Sequence, residues 1–167
     1  MKTIYVDIDG VCIDFMGTAA AFGIEMKPNV FYSWRWGGRN PSVEEFYAAA
    51  EFQPWFGDLM LTISLNGFLP VFLTKGNVRI KRDFMINNTK PSNCDWSPLS
   101  NLSFFAALNK AEYCKSPSDM LIDDNIDECK AWRDRGGIAW HFDLASVDPF
   151  GDFIEYWVRK TPAREGK

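Results

Sequence analysis

The segment Thr3-Ile4-Tyr5-Val6-Asp7-Ile8-Asp9-Gly10 says more about this chain than any other part of it. Residues 3–8 are mostly β-branched or aromatic, which predicts a buried strand that ends in a turn at Asp9-Gly10. A second acidic pair closes another apolar run, in Met120-Leu121-Ile122-Asp123-Asp124. Carboxylates at strand ends of an α/β protein are typical of sites for hard cations and phosphates. If the two strands are neighbours, four carboxylates converge, and their mutual repulsion favours a bound metal ion.

The bulk composition is that of one folded domain. The chain has 167 residues, of which 47% are apolar and 16% aromatic, so it can form a proper core. The net charge is −4 without blocks of like charge, so neither membrane binding nor stable nucleic-acid binding is expected. We also expect a cytoplasmic protein, since the N-terminus has no leader pattern and no apolar run spans a bilayer.

The four cysteines point to the same compartment. Cys12, Cys94, Cys114 and Cys129 contain no CxxC pair and show no repeated spacing. We therefore predict reduced, mostly packed thiols rather than a disulfide or a zinc site.

Strand-like and helix-like segments alternate along most of the chain. Further strands are predicted at 68–74, 101–106, 119–123 and 138–142, and helices at about 77–87, from Asn125 to Gly136-Gly137, and from near Pro149. In the helix at 77–87 the predicted apolar side is Val78, Ile80, Phe84 and Met85, with Arg79, Lys81 and Arg82 between them. This order predicts an α/β, three-layer Rossmann-like domain with a mostly parallel sheet.

Residues 15–66 are too many for a simple crossover between the first two strands. They contain Ser42-Val43-Glu44-Glu45, a capping box that predicts the start of a helix. We predict a small helical cap over 15–66, inserted into a catalytic core made of 1–14 and 67–167.

Asp7 and Asp9 carry the first chemical hypothesis. Residues two apart in a strand point to the same face, and Gly10 frees the backbone to turn beside them. Asp7 is placed to attack a phosphorus atom while Asp9 lends a proton to the leaving oxygen. The alternative is a pair of surface turn residues, but a complete strand before them favours the catalytic interpretation.

Phosphate-binding groups are expected at the end of the second strand and before the acidic strand. Thr74 offers a hydroxyl, and Lys75-Gly76 opens a loop into a helix whose backbone N–H groups suit a phosphate. Phosphoryl transfer also needs a fixed positive charge near the nucleophile. Lys110 is the first choice for that charge, and Lys115 is the rival.

Asp123 and Asp124 are the candidate Mg²⁺ ligands from the second strand end. Mg²⁺ takes oxygen ligands and keeps several waters, so one aspartate can bind directly and the other through water. Asp127, one helical turn later, suits the outer shell. Helix capping by Asp124 and a favourable dipole for Asp127 are the alternative roles, and both kinds of role can hold together.

Taken together, this pattern resembles the haloacid dehalogenase superfamily of Mg²⁺-dependent aspartyl phosphotransferases. The matching residues are Asp7-Ile8-Asp9-Gly10-Val11, Thr74, Lys110 and Leu121-Ile122-Asp123-Asp124, in the order of the family. The resemblance implies a sheet in which the first strand lies between the second strand and the acidic strand.

Residue roles also follow from this resemblance. It implies Asp7 as the nucleophile and Asp9 as the acid/base, with Thr74 and Lys110 holding the phosphoryl group. Mg²⁺ would be bound by Asp7, the backbone carbonyl of Asp9, and Asp123 or Asp124. An aspartate at the position of Asp9 is similar to the phosphatase branch, because the dehalogenases lack it.

Within the superfamily the chain is most similar to the 5′(3′)-deoxyribonucleotidases, through its small size, its aromatic-rich cap and Leu-Ile-Asp-Asp. The implied substrate is a small phosphorylated molecule such as a (deoxy)nucleoside monophosphate. Candidate substrate-binding residues are Phe31, Trp34 and Trp36, which can stack on a base, and Arg35, which can meet a phosphate or a base edge. The alternative is that these aromatics only hold a small cap together.

Two other functions remain open from the sequence. One is a phosphatase for nucleic-acid ends or for another phosphometabolite, although the sequence pI of about 5.0 disfavours long polynucleotides. The other is a non-catalytic, receiver-like module that binds Mg²⁺ and accepts a phosphoryl group. His141, the single histidine, is interpreted as a packed residue rather than a catalyst.

Overall fold

The computed structural model describes residues 3–24, 41–88 and 102–160. These ranges contain five strands and six helices, and three of the helices lie between the first two strands. The strands are β1 (Thr3–Val6), β2 (Leu69–Thr74), β3 (Ser103–Ala106), β4 (Met120–Asp123) and β5 (Ile138–His141). The helices are α1 (Phe15–Ala21), α2 (Val43–Ala49), α3 (Phe56–Leu65), α4 (Val78–Asn88), α5 (Ile126–Asp134) and α6 (Pro149–Lys160). A short 3-10 helix, Lys110–Tyr113, precedes β4.

The five strands form one parallel sheet in the order β3-β2-β1-β4-β5. Each predicted strand is present, one or two residues shorter than expected. β1 lies at the centre, between β2 and β4, as the resemblance implied. Val6 pairs with Ile122, and the backbone N–H of Asp7 donates to the carbonyl of Ile122 at 2.9 Å. The carboxyl ends of β1 and β4 are therefore adjacent.

Alternation along the strands produces two buried faces. Ile4 and Val6 of β1 join a cluster that includes residues of α3, α4 and α6. Leu73, Leu121 and Ala139, from β2, β4 and β5, pack on the opposite face against Trp132 of α5. Since successive side chains of a strand point to opposite faces, this pattern produces the predicted three-layer α/β fold.

Two helices, α2 and α5, begin at capping residues that the sequence predicted. Ser42 and Glu45 form the predicted capping box at the start of α2. Asn125 caps α5 by accepting from the backbone N–H groups of Asp127 and Glu128. Because α5 begins immediately after Asp123-Asp124, its cap also fixes where that acidic pair emerges from the sheet.

The described parts of 15–66 contain α1, α2 and α3. Helix α3 packs against β2 and contributes Leu59, Met60 and Ile63 to the core beneath the sheet. Helix α2 lies against α4 and α1. The division into a core and a cap over 15–66 stays a prediction.

Two simpler expectations concern cysteines and membrane spans. Cys12, Cys114 and Cys129 are buried free thiols, as predicted, and Cys94 lies outside the described residues. In the described ranges, none of the helices has the length and apolar character needed to span a bilayer.

Candidate active site

Three carboxylates meet where β1 and β4 end. Asp7, Asp123 and Asp124 each offer an oxygen within 4.8 Å of the others. Asp7 and Asp123 are buried, and Asp124 is half-buried. The sequence predicted this convergence from two strand ends more than a hundred residues apart.

Lys110 lies between the two buried carboxylates. Its Nζ atom is 2.7 Å from Oδ1 of Asp7 and 2.7 Å from Oδ2 of Asp123. Burial disfavours the charged form of Lys110, but Asp7 and Asp123 outweigh this effect and raise its pKa. Lys115, the rival lysine, is exposed, and its backbone N–H donates to Asp119. Of these two candidates, Lys110 is therefore the lysine that approaches the acidic cluster.

Asp123 and Asp124 are held in different ways. Oδ1 of Asp123 accepts from the backbone N–H of Asn125 at 2.9 Å, so the start of α5 orients this carboxylate. Burial, followed by the charge of Asp7, raises the pKa of Asp123 to about 7. Burial and the charges of Asp7 and Asp123 raise the pKa of Asp124 well above its usual range. The metal-free site therefore resists full ionisation.

Gly10 permits the close approach of Asp124 to the first loop. Its φ is +81°, and a Cβ built on it would lie 2.3 Å from Oδ2 of Asp124. The carbonyl of Asp124 lies 2.9 Å from Nε2 of His141, so this histidine supports the acidic turn through its backbone. Asp127 is exposed on α5 and pairs with Lys130 at 3.4 Å.

Asp9 is bound by two donors from separate helices. The hydroxyl of Tyr47, on α2, donates to Oδ1 of Asp9 at 2.9 Å, and Nζ of Lys81, on α4, donates to Oδ2 at 2.6 Å. Burial raises the pKa of Asp9; the charge of Lys81 lowers it, and that of Asp7 raises it further. Neither Tyr47 nor Lys81 was among the predicted site residues.

The burial of Lys81 corrects the predicted buried side of α4. It is 4% exposed and lies on the same buried side as Phe84 and Met85, whereas the sequence interpretation left it outside the apolar side. The spacing of Lys81, Phe84 and Met85 is i, i+3, i+4, which places all three on one helical face. That spacing was the signal for burial, but a lysine in a helix is usually solvated.

The two residues that end β2 have different surroundings. Thr74 is buried, and its Oγ1 accepts from Lys81 at 2.7 Å. Lys75 forms an ion pair with Glu128 of α5, so its ammonium group faces a carboxylate on the neighbouring helix. Thr74 is thus joined to Asp9 through Lys81, and Lys75 is joined to α5.

Side chains from the segment just before α3 support the loop that follows β1. The amide of Gln53 donates to the carbonyl of Gly10, and the indole N–H of Trp55 donates to the carbonyl of Val11, both at 2.9 Å. The ring of Trp55 also packs on Phe142 with centroids 5.3 Å apart. Trp55 is therefore a structural support of this loop. The predicted substrate-binding residues Phe31, Trp34, Arg35 and Trp36 lie outside the described residues.

The acidic cluster has the donors that a hard divalent cation requires. All three of its side chains offer carboxylate oxygens, which is the ligand type that Mg²⁺ prefers. Oδ1 of Asp7 is buried and, among the described residues, accepts no well-aligned hydrogen bond, although Lys110 lies 2.7 Å away. A buried carboxylate oxygen with spare acceptor capacity beside two further carboxylates fits a metal ligand.

Comparison with known proteins identifies the fold. No protein-family model matches the chain, and no curated protein matches it either. A haloacid dehalogenase-like hydrolase from Streptococcus pneumoniae is 13% identical, with a TM-score of 0.54 over 96% of this chain and 99% of that one. A haloacid dehalogenase family enzyme from Bacteroides thetaiotaomicron, solved with magnesium and inorganic phosphate, is 14% identical, with a TM-score of 0.56 over 87% and 96% of the two chains.

A third neighbour is the N-terminal part of a Bacteroides fragilis protein that contains a phosphatase domain complexed with Mg. It is 18% identical, with a TM-score of 0.53, and the match covers 94% of this chain and 39% of that one. At these identities the likeness concerns the fold. The chain described here therefore has the haloacid dehalogenase-like fold.

Proposed function

We propose that this protein is a Mg²⁺-dependent phosphomonoesterase that acts through an aspartyl-phosphate intermediate. The observation that carries the proposal is the meeting of Asp7, Asp123 and Asp124 within 4.8 Å, with Lys110 bound to two of them. Burying several carboxylates close together destabilises the folded protein unless a cation offsets their charge. The site also lies at the carboxyl ends of parallel strands, where ligands of open α/β sheets bind.

The metal would be held by Asp7, Asp123, Asp124 and the backbone carbonyl of Asp9. Bound Mg²⁺ supplies positive charge that offsets the developing charge on the phosphoryl oxygens. The Bacteroides thetaiotaomicron neighbour was solved with magnesium and inorganic phosphate, which supports the same pairing of ligands here. Thr74, the backbone N–H of Lys75, and Lys110 would bind the remaining phosphoryl oxygens.

The reaction divides into two balanced steps. An oxygen of Asp7 forms a bond to phosphorus while the bond from phosphorus to the ester oxygen breaks, and Asp9 gives its proton to the departing oxygen. In the second step Asp9 takes a proton from a water molecule, whose oxygen attacks the phosphorus and releases inorganic phosphate from Asp7. Lys110 keeps a positive charge beside the nucleophile in both steps.

The proposed substrate is a small (deoxy)nucleoside monophosphate. The support is compositional, because the segment proposed as a cap over 15–66 carries Phe31, Trp34 and Trp36, whose flat faces suit a base. Arg35 would meet a phosphate or a base edge. The phosphoryl chemistry does not depend on this substrate assignment.

Phosphate release from a panel of monophosphates, measured with Mg²⁺ and with EDTA, tests the proposal. We expect turnover that EDTA removes and added Mg²⁺ restores. Asp7→Asn should abolish turnover, because an amide is a poor nucleophile, and should keep the circular dichroism spectrum unchanged. Asp134→Asn, an exposed change on α5, is the matched control and should retain activity. Turnover by Asp7→Asn, or none by the wild type with any divalent metal, contradicts the proposal.

A further inference from the structure

Lys81 is a buried cation with no part in the reaction outlined above. An ammonium group carries three donors and no acceptor. Nζ of Lys81 lies 2.6 Å from Oδ2 of Asp9, 2.7 Å from Oγ1 of Thr74 and 2.5 Å from the carbonyl of Lys75. These three partners use all of its donors. A buried charge is tolerated when it is paired and hydrogen-bonded. The three partners therefore account for the burial of Lys81 at this position.

The contact with Thr74 fixes the direction of a proton. Because Lys81 only donates, Oγ1 of Thr74 must accept from it. The hydroxyl hydrogen of Thr74 is then left for another acceptor. Within the described ranges it meets the carbonyl of Lys75 at 3.3 Å, which is a long hydrogen bond. A phosphoryl oxygen at the end of β2 would be a better acceptor. Lys81 thereby presents Thr74 as a donor.

The contacts with Asp9 fix the orientation of a carboxyl group. Tyr47 holds Oδ1 and Lys81 holds Oδ2, and the two come from α2 and α4. Both are buried, at 4% exposure each. A carboxyl group held at both oxygens cannot rotate freely, yet each oxygen keeps a further lone pair for a proton or a ligand. Tyr47 and Lys81 therefore fix the orientation of the Asp9 carboxyl group.

We propose that Lys81 and Tyr47 are positioning residues that aim the carboxyl group of Asp9 at the leaving oxygen of the substrate, and that Lys81 links this group to Thr74. The proposal rests on the phosphomonoesterase function proposed above. In this proposal Lys81 acts on the leaving group indirectly, by orienting the Asp9 carboxyl group that protonates it. The alternative is that Lys81 binds the phosphoryl group directly.

The leaving group of the ester separates these two roles. A 4-nitrophenolate ion leaves without protonation, whereas the alkoxide from a nucleoside 5′-monophosphate or another alkyl ester needs a proton. Loss of Asp9 positioning should therefore lower kcat/KM selectively for alkyl esters, because kcat/KM reports the first step, in which the ester oxygen leaves. The second step, in which Asp9 acts as the base, starts from the same aspartyl phosphate for both esters and affects kcat alike. Loss of a phosphoryl contact, or general damage to the fold, slows aryl and alkyl esters alike.

The experiment measures kcat and KM on 4-nitrophenyl phosphate and on the alkyl monophosphate with the highest turnover in the panel. Because general acid catalysis is typically worth about 10²- to 10⁴-fold, we expect Lys81→Met to lower kcat/KM on the alkyl ester about 100-fold and Tyr47→Phe about tenfold. On the aryl ester Tyr47→Phe should keep kcat/KM within about threefold of the wild type, since 4-nitrophenolate leaves without the proton of Asp9. Lys81→Met also releases Thr74, so it should lose about tenfold on the aryl ester, still about tenfold less than on the alkyl ester. Asp9→Asn should show the same selectivity in kcat/KM, and it serves as the benchmark, although it lowers kcat on both esters by removing the base of the second step.

Lys130→Met and Tyr156→Phe are matched controls outside the site and should behave as wild type on both esters. Equal losses of kcat/KM on the two esters in Lys81→Met and Tyr47→Phe would overturn the inference while leaving the phosphomonoesterase function intact. A wild type active on the aryl ester alone would also overturn it, because Asp9 would then protonate nothing. A wild type inactive on both esters would instead remove the proposed function. If Lys81→Met fails to fold, Tyr47→Phe decides alone, since it deletes a single hydroxyl.

Discussion

Lys110 is the residue on which the charge balance of the site depends. It is 2% exposed and contacts two buried carboxylates, so its ammonium group offsets the repulsion between Asp7 and Asp123. Removing one member of a buried ion pair leaves its partners uncompensated, which typically costs about 3–5 kcal/mol. We expect Lys110→Met to lower the free energy of unfolding by that amount near neutral pH in the absence of metal, as measured by urea denaturation.

Lys115→Met is the control for that variant, because Lys115 precedes the same strand but is exposed. It should change stability by less than about 0.5 kcal/mol, as surface substitutions usually do. Similar stability losses in the two variants would show that Lys110 does not compensate the buried carboxylates.

Lys110, Lys115 and Lys81 show how far the role of a single lysine can be predicted from the sequence. Position along the chain favoured Lys110 over Lys115 but left both open, because either could precede a strand end. Lys81 was missed for the opposite reason: its helical spacing with Phe84 indicated burial, while its charge indicated solvent. Only the three-dimensional contact with Asp9 resolves that conflict, and no local pattern encodes it.

At the scale of elements, the loop after β1 is constrained both by its backbone conformation and by its packing. Gly10 combines a φ of +81° with a Cβ direction that points into the carboxylate of Asp124. Gly10→Ala therefore adds a steric clash in the acidic cluster to the usual cost of a left-handed backbone. We expect it to lose most Mg²⁺-dependent turnover and about 2 kcal/mol or more of stability.

Gly136→Ala separates these two effects. Gly136 has a φ of +86°, but a Cβ there would meet no atom within 4 Å. It should lose about 1 kcal/mol through backbone strain and retain turnover. If Gly10→Ala and Gly136→Ala had the same activity, the packing of Gly10 against Asp124 would be unimportant for the site.

The elements themselves were largely predictable, because their signals are local. Hydrophobic runs indicated β1 and β4, and Asn125 indicated the start of α5. The contact between α2 and the first strand end was not predictable in the same way. Tyr47 reaches Asp9 across 38 residues of chain, and its sequence neighbourhood shows only an ordinary amphipathic helix.

At the scale of the whole molecule, the fold concentrates negative charge at one edge of the sheet. Burial and then Asp7 raise the pKa of Asp123 to about 7, and Asp124 and Asp9 are shifted in the same direction. In an unfolded chain these groups titrate near 4. The folded, metal-free protein therefore binds more protons than the unfolded chain between these values. The contribution of Asp123 to stability is complete below pH 4 and is lost as the pH rises through about 7.

Mg²⁺ should reverse this loss, because it binds the ionised carboxylates and competes with their protons. A ligand at 100 times its Kd stabilises a fold by about 2.7 kcal/mol, which corresponds to roughly 5–10 °C for a domain of this size. We expect a gain of this order at pH 8.0 and less than about half of it at pH 5.5, where protons occupy the same oxygens. Thermal melts with MgCl₂, against KCl at matched ionic strength, measure the two gains, and Asp134→Asn should reproduce both. An equal or larger gain at pH 5.5 would mean that Mg²⁺ stabilises the protein elsewhere than at Asp7, Asp123 and Asp124.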